Sequence, residues 1–366
     1  MSTKLSRNWI AHGLATPART CQRPELALDL RQSLNGQKVI VTGAAGFIGS
    51  EIVHQLANMG TTVIAVDNLH NGKRENLADI LSPSVTLVVA DIRDHNIMRD
   101  LLGRCDIVLH LACLGVRHSI HSPLENHEIN ATATLHLLEL SREASIKRFV
   151  YVSSSEVYGT ARYVPMVEEH PLTPNTVYGA SKLAGERYTD AYWRTYGMDT
   201  VVVRPFNAFG PRSHHEGDSG EVIPKFMLQA IAGEPLIIHG DGSQTRDFTD
   251  VRDTARGILL AAGCPQLQGT TLNLGQGKEI TINELAELVG AVVDRNSVTV
   301  HHEPPRPGDV LRLCADTTLA NNRIGYAPLI TLKDGLLNLR NWYLQQERSP
   351  TELLSEMRVK NWTTPN

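Results

Sequence analysis

Six runs of consecutive apolar, mostly β-branched residues recur through the first 204 positions: Lys38–Thr42, Thr62–Asp67, 85–90, 106–110, 148–153 and 200–204. Each is apolar at nearly every position instead of every second one. That pattern belongs to strands buried on both faces, as in a parallel sheet. Stretches with apolar residues at helical spacing fall between them, at Phe47–Asn58, 123–144 and 178–196. Strand followed by helix, repeated, predicts an α/β fold with a doubly wound parallel sheet of the Rossmann kind.

After Arg204 the alternation breaks down. Residues 205–221 are rich in Gly, Pro, Ser and His and read as a long functional loop. Helices are expected at 222–232, 251–262 and 281–293, and a strand at 235–239. Residues 302–309, dense in Pro and Gly, are expected to be loop. The reading divides the chain into an N-terminal extension (1–35), a cofactor-binding domain (36–205 with about 236–263) and a smaller, interleaved substrate domain (206–235 and 264–366). The extension shows no clean period beyond a short helix at 25–34. It reads as an adaptable terminus or as an arm packed on a partner subunit.

Composition narrows the class. The 366 residues are 42% hydrophobic, enough for a full core. With 35 basic and 39 acidic residues, net charge −4, neither nucleic acid nor a membrane surface is an expected partner. No apolar run approaches the roughly 18 residues of a membrane helix, and the N-terminus does not read as a secretory signal. The five cysteines are scattered and contain no CxxC pair, so neither a disulfide framework nor a zinc site is expected. A reducing, cytoplasmic setting follows.

Thr42-Gly43-Ala-Ala-Gly46-Phe-Ile-Gly49 ends the first strand and opens a helix. Gly43 permits a tight turn, Gly46 lets the backbone approach a pyrophosphate, and Gly49 lets helix and strand pack closely. The phosphates would then sit at the positive end of the helix. Asp67 ends the second strand, where an acid binds the adenosine ribose and repels a 2′-phosphate. NAD is therefore the expected cofactor. Phe47, Ile48, Asn68 and Ile92 are placed against it, as are Leu111 and, ending the fourth strand, His110 and Ala112. Asp91, after the third strand, reads either as an adenine contact or as a turn residue.

Tyr178 and Lys182 are four apart on a predicted helix and share one face. A tyrosine, with a reference pKa of about 10, is a poor base unless a nearby cation favours its phenolate. Lys182 would supply that charge, and Tyr178 would take a hydroxyl proton as hydride leaves the same carbon. His214-His215 and His301-His302 are adjacent pairs whose rings face apart on extended chain. They poorly suit one ion, so no metal is expected.

The chain resembles the extended short-chain dehydrogenase/reductase family, in particular its nucleotide-sugar epimerases, dehydratases and decarboxylases. The resemblance rests on the Gly43–Gly49 motif, His110-Leu-Ala112, Ser153-Ser-Ser-Glu-Val-Tyr-Gly159, Tyr178-Gly-Ala-Ser-Lys182, Arg204-Pro-Phe-Asn207, Gly242-Ser-Gln-Thr-Arg-Asp-Phe248 and Arg306-Pro-Gly-Asp309. It implies that Ser154 shares a sugar 4-hydroxyl with Tyr178, that Asn207 lies near the substrate phosphates, and that Arg246 and Arg306 grip the diphosphate. Val222 to Lys225 resembles the stretch that cradles the nucleotide. It implies a UDP-linked sugar as substrate, and a homodimer paired through residues 126–141 and 178–196.

Several reactions share oxidation at C4. A ketone there acidifies the C5 proton, and a base can then expel water from C6. A C6 carboxylate can instead leave as carbon dioxide, or the ketone can turn over and be reduced on its other face. Glu156, two positions beyond Ser154, would point with it on a strand. Dehydratases of the family use a glutamate here at C5, which makes a 4,6-dehydratase the leading expectation. Where many of them carry an aspartate this chain has Ser155, so Glu156 would serve both proton steps. The alternatives are a decarboxylase or 4-epimerase of an acidic sugar, with Arg252, or Arg117 in the Arg117-His-Ser119 stretch, meeting the carboxylate unless they pair with Asp253 or Glu125 instead. A remoter alternative is a non-catalytic NAD-sensing protein on the same fold.

Overall fold

The structure, a computed structural model, describes residues 29–295 and 298–363. Of the expected helix at 25–34, Leu30–Ser33 forms, and 25–28 lie outside the described residues with the rest of the N-terminal extension.

The apolar runs form a seven-stranded parallel sheet. In chain order its strands are β1 (Lys38–Thr42), β2 (Thr62–Asp67), β3 (Val85–Val89), β4 (Ile107–His110), β5 (Arg148–Val152) and β6 (Thr200–Pro205). They lie in the spatial order β6-β5-β4-β1-β2-β3, with one later strand outside β6. β1 sits between β2 and β4, so the order reverses there and the carboxyl ends of the strands open a crevice. Val39, Ile40 and Val41 are buried, with Ile40 facing a different apolar cluster from its two neighbours. This is why the run carries no polar alternation. Each such side chain contributes roughly 1.5–3 kcal/mol on burial.

A second apolar cluster lies beyond the sheet. Its shell includes β7 (Asn207–Phe209), β8 (Leu236–His239) and β9 (Thr245–Asp250), with helices Val222–Ala232, Ile282–Val292 and Leu332–Leu344. Two strands cross the expected division of the chain. β8, assigned with the large sheet, pairs instead with β12 (Val300–Glu303), because Leu236 and Ile238 face the second cluster. β10 (Thr270–Leu274), assigned with the substrate half, extends the large sheet beside β6, with Leu272 and Leu274 in its core. β11 (Glu279–Thr281) pairs with β9, and β9 with β7. The loop expected at 302–309 accordingly begins after β12.

The helix expected at 123–144 is broken by a π-turn at Glu128–Thr132. From this region buried Asn126 and Asn130 donate to the Leu114 carbonyl at 3.1 and 2.9 Å, fastening the loop after β4. Among the described residues no helix is long and apolar enough to cross a membrane.

Candidate active site

The crevice holds a cavity of about 470 Å³ between the sheet and the second cluster. At one end Gly43 takes a φ of +68°, and a Cβ there would lie 2.8 Å from the Ala112 nitrogen. A Cβ on Gly49 would lie 2.0 Å from the Gly43 carbonyl oxygen. Both positions therefore require glycine, and the helix Phe47–Asn58 begins flush against the cavity. Gly46, Phe47, Ile48, Asn68, Ile92, Leu111 and Ala112 line this end. Asp67 accepts the N–H groups of Ala45 (2.9 Å) and Leu69 (2.8 Å), so it also shapes the glycine turn. Burial raises its pKa against those hydrogen bonds. Asp91 lines the cavity and is a turn residue too: Arg93 binds it through its backbone and its guanidinium, and Asn68 donates at 2.9 Å. Hydrogen bonding to Arg93 holds its carboxyl well below the usual range.

Helix Val177–Tyr196, capped by Thr176, carries Tyr178 and Lys182 into the cavity. It approaches the end of β5 through glycines. A Cβ on Gly179 would sit 2.7 Å from the Glu156 carbonyl oxygen, and one on Gly185 2.3 Å from the Tyr151 hydroxyl. Lys182 Nζ donates to the Val152 carbonyl at 2.6 Å and lies 4.8 Å from the centre of the Tyr151 ring. Burial lowers the Lys182 pKa and raises that of Tyr178, the latter opposed by hydrogen bonding to Ser154.

Ser154, Ser155 and Glu156 all line the cavity, though not by strand alternation. β5 ends at Val152, and Ser155–Val157 form a 3₁₀ turn whose first N–H groups include that of Glu156, held by Ser154 Oγ at 3.2 Å. The turn brings Ser154 and Glu156 together. Burial raises the Glu156 pKa, with Arg246, Arg306 and Arg117 acting against it.

The far end is cationic. Arg246 and Arg306 share Asp309, at 2.6 and 3.0 Å. Arg117 donates to the Gly220 carbonyl at 2.6 Å and lies 3.2 Å from Glu221, with its buried Nε unpartnered. Among the described residues Lys225 meets only a backbone carbonyl, that of Arg358 at 3.0 Å, and burial pushes its pKa down to about 7. Val222 and Asn207 complete this wall, and Asn207 Oδ1 is buried without a partner among the described residues.

Three expected placements fail. Arg252 lies outside the cavity, on helix Val251–Gly263, where its guanidinium caps Asp250 at 2.8 Å. Ser119 is buried away from it and donates to the Val116 carbonyl. His110 is sunk between Thr42 (2.7 Å) and Thr134 (2.9 Å), and burial lowers its pKa to about 3. His214 reaches the cavity lining paired with Glu216. Conversely, the Arg306-Pro-Gly-Asp309 motif gave no sign that Asp309 bridges the two arginines. Asp218 and Gly220 of the long loop, and Arg358 and Asn361 near the C-terminus, line the cavity with no periodicity to mark them.

The comparisons with known proteins agree with this geometry. The sequence model of the NAD dependent epimerase/dehydratase family matches residues 39–275. The chain is similar to a putative UDP-glucose 4-epimerase of Methanocaldococcus jannaschii, 35% identical over 314 residues, covering 85% of this chain and all of that one. It is similar to UDP-glucuronic acid decarboxylase 2 of Arabidopsis thaliana, 33% identical, covering 82% of this chain and 67% of that one. Among solved structures it resembles DesIV, a dTDP-glucose 4,6-dehydratase of Streptomyces venezuelae with NAD bound. That match has a TM-score of 0.80 and 33% identity, and covers 84% of this chain and 97% of the other. The glycine turn, the open helix start and the unpartnered Asn207 Oδ1 fit a dinucleotide at one end and a polar ligand at the other. The chain therefore belongs to the NAD-dependent epimerase/dehydratase family, whose enzymes are nucleotide-sugar epimerases, dehydratases and decarboxylases, and its cofactor is NAD.

Proposed function

We propose that the protein is a 4,6-dehydratase of a UDP-sugar, working through transient oxidation at C4. NAD, when bound, supplies the acceptor and later donor of the hydride. Arg246 and Arg306 bind the diphosphate, since guanidinium forks match phosphate oxygens. Ser154 and Tyr178 hold the 4-hydroxyl, and Tyr178 takes its proton. Lys182, fixed by the Val152 carbonyl, keeps a cation beside that phenol. Glu156 takes the C5 proton and hands it to the departing C6 hydroxyl; the hydride is then returned at C6 and a proton, equivalent to the one Tyr178 took, at C5, so the net change is the loss of one water.

The observation that carries this reading is Glu156 itself. Its carboxyl is in the same cavity as Ser154 and Tyr178, and burial raises its pKa, which suits a group that must both take and give a proton. Arg117 favours a second reading, decarboxylation or 4-epimerisation of a sugar with a C6 carboxylate. It is a buried cation on the cavity wall with an unpartnered Nε.

Mass spectrometry after incubation with UDP-N-acetylglucosamine, UDP-glucose, UDP-glucuronate and GDP-mannose separates the readings. Loss of water supports dehydration, and loss of carbon dioxide or an isomer of unchanged mass supports the second reading. Purified protein without bound NAD, inert toward all four, would mark a non-catalytic role. Leu124, Leu135 and Tyr196 are exposed apolar side chains at or beside the segments expected to pair, and a homodimer through them is part of the proposal. Sedimentation as a monomer would count against it. Cys105, Cys113, Cys264 and Cys314 are free thiols, in keeping with a cytoplasmic setting.

A further inference from the structure

The last described residues return to the cavity. Beyond the helix Pro350–Leu354, Met357, Arg358, Val359 and Asn361 form part of its lining. Polar tethers fix their register. The Gly217 N–H donates to the Glu356 carbonyl at 3.3 Å, and Lys225 Nζ donates to the Arg358 carbonyl at 3.0 Å. Asn361, 2% exposed, donates Nδ2 to the Gly220 carbonyl at 3.1 Å, the same oxygen that Arg117 binds. The Trp362 ring meets that of His239 edge-on at 4.8 Å. These anchors belong to three separate parts of the site: the long loop, the helix Val222–Ala232 and β8.

Arg358 is the cation this register delivers. Its guanidinium donates only to Thr363, to the carbonyl at 3.1 Å and the hydroxyl at 3.5 Å, and has no carboxylate partner among the described residues. Arg246 and Arg306 are partly neutralised by their shared Asp309. A multiply charged anion at this end is therefore met by two cations that have no acidic partner among the described residues, Lys225 and Arg358.

We infer that Glu356–Trp362 is a wall of the substrate site and that Arg358 is a further binding residue for the substrate's diphosphate. This rests on the nucleotide-sugar reading above. The wall is built by the chain's own C-terminal segment, outside the 39–275 range matched by the family's sequence model. It is thus a place where the chain can set its own preference among nucleoside diphosphates.

The test is calorimetric titration of the NAD-loaded protein with UDP. A charge-assisted hydrogen bond of ordinary strength makes Arg358→Gln bind UDP roughly tenfold more weakly. Arg358→Lys recovers part of that loss, and raising the salt narrows the gap between variant and wild type. A chain ending at Ser355 loses at least as much affinity. NAD content, measured on the same samples, stays at the wild-type level in the point variants and reports that the cofactor domain is folded. UDP binding by Arg358→Gln that matches the wild type overturns the inference and leaves the nucleotide-sugar reading standing. A wild-type chain that binds no UDP overturns that reading, and this inference with it.

Discussion

Lys73 and Glu216 meet at 2.8 Å and join two loops that each contribute to the cavity wall. Glu216 serves more partners than Lys73 does: it also lies 3.0 Å from His214 Nδ1 and accepts the His215 N–H at 2.9 Å. Burial works to raise its pKa, but hydrogen bonding to His214 and Lys73 outweighs this and holds it well below the usual range. A depressed acid contributes stability above its unfolded pKa that is lost as pH falls toward the folded one. Glu216→Ala should cost about 2–3 kcal/mol at neutral pH, because it strips three donors of their acceptor. Lys73→Ala, at a half-exposed side chain, should cost less than about 1 kcal/mol. Urea unfolding of both variants checks the asymmetry, and equal losses would contradict it.

Tyr178→Phe should lower kcat by roughly 10²–10⁴, the usual worth of a positioned acid–base group, without loss of bound NAD. Ser154→Ala removes the hydrogen bond that opposes the burial-raised pKa of Tyr178, so the rising limb of the rate–pH profile should move to higher pH. Glu156→Gln should stop the loss of water while C4 oxidation still proceeds, visible as absorbance of the reduced cofactor. Full dehydration by Glu156→Gln would remove Glu156 from the proton steps.

The parallel sheet was legible because burial on both faces leaves an unbroken apolar run, as in β1, β5 and β6. The glycine turn was legible because Gly43 and Gly49 answer to steric demands that no other residue meets. What sequence reasoning misassigned depended on pairings that no apolar period encodes. Arg246, near the start of β9, and Arg252, in the helix that follows it, are six residues apart, yet Arg252 finds Asp250 two residues away and Arg246 finds Asp309, 63 residues on. β8 and β10 are short runs whose partners, β12 and β6, no local period reveals. Glu156 lines the cavity, but a 3₁₀ turn and not strand alternation aims it.

Glu186 and Arg204 form a two-pronged ion pair at 2.8 and 2.7 Å, with each side chain 3% exposed. It fastens the helix bearing Tyr178 and Lys182 to β6. Glu186→Gln leaves the buried guanidinium without its counter-charge and should cost about 3–5 kcal/mol. Thermal unfolding would register this as a large fall in Tm, and a fall no greater than that of a surface variant would contradict it.

Arg252→Ala should leave kcat and KM for the nucleotide sugar unchanged, since Arg252 lies outside the cavity. The change deprives buried Asp250 of its guanidinium partner, so stability should fall by about 2–3 kcal/mol. Steady-state kinetics well below the unfolding temperature separate the two effects. A rise in KM confined to an acidic sugar nucleotide would restore Arg252 to the substrate site.

Lys225 should tie UDP affinity to pH near neutrality. Burial, with Arg117 beside it, pushes its pKa down to about 7, and Glu221, Arg306 and Arg358 are the other charges facing it. His239 also lies within its field. A diphosphate favours the ammonium form, so UDP affinity should fall as pH rises through about 7, by at most roughly tenfold per pH unit. Stability of the free chain should move the other way. The folded pKa lies below the unfolded value of about 10.4, so between those two pH values the unfolded chain binds more protons and stability rises with pH. The opposite signs separate this titration from general alkaline unfolding, which would lower both quantities together. Lys225→Met should bind UDP more weakly at pH 6 and flatten the pH dependence above it, as read by calorimetry in buffers of different ionisation enthalpy. An unchanged pH profile in Lys225→Met would transfer the dependence to another group.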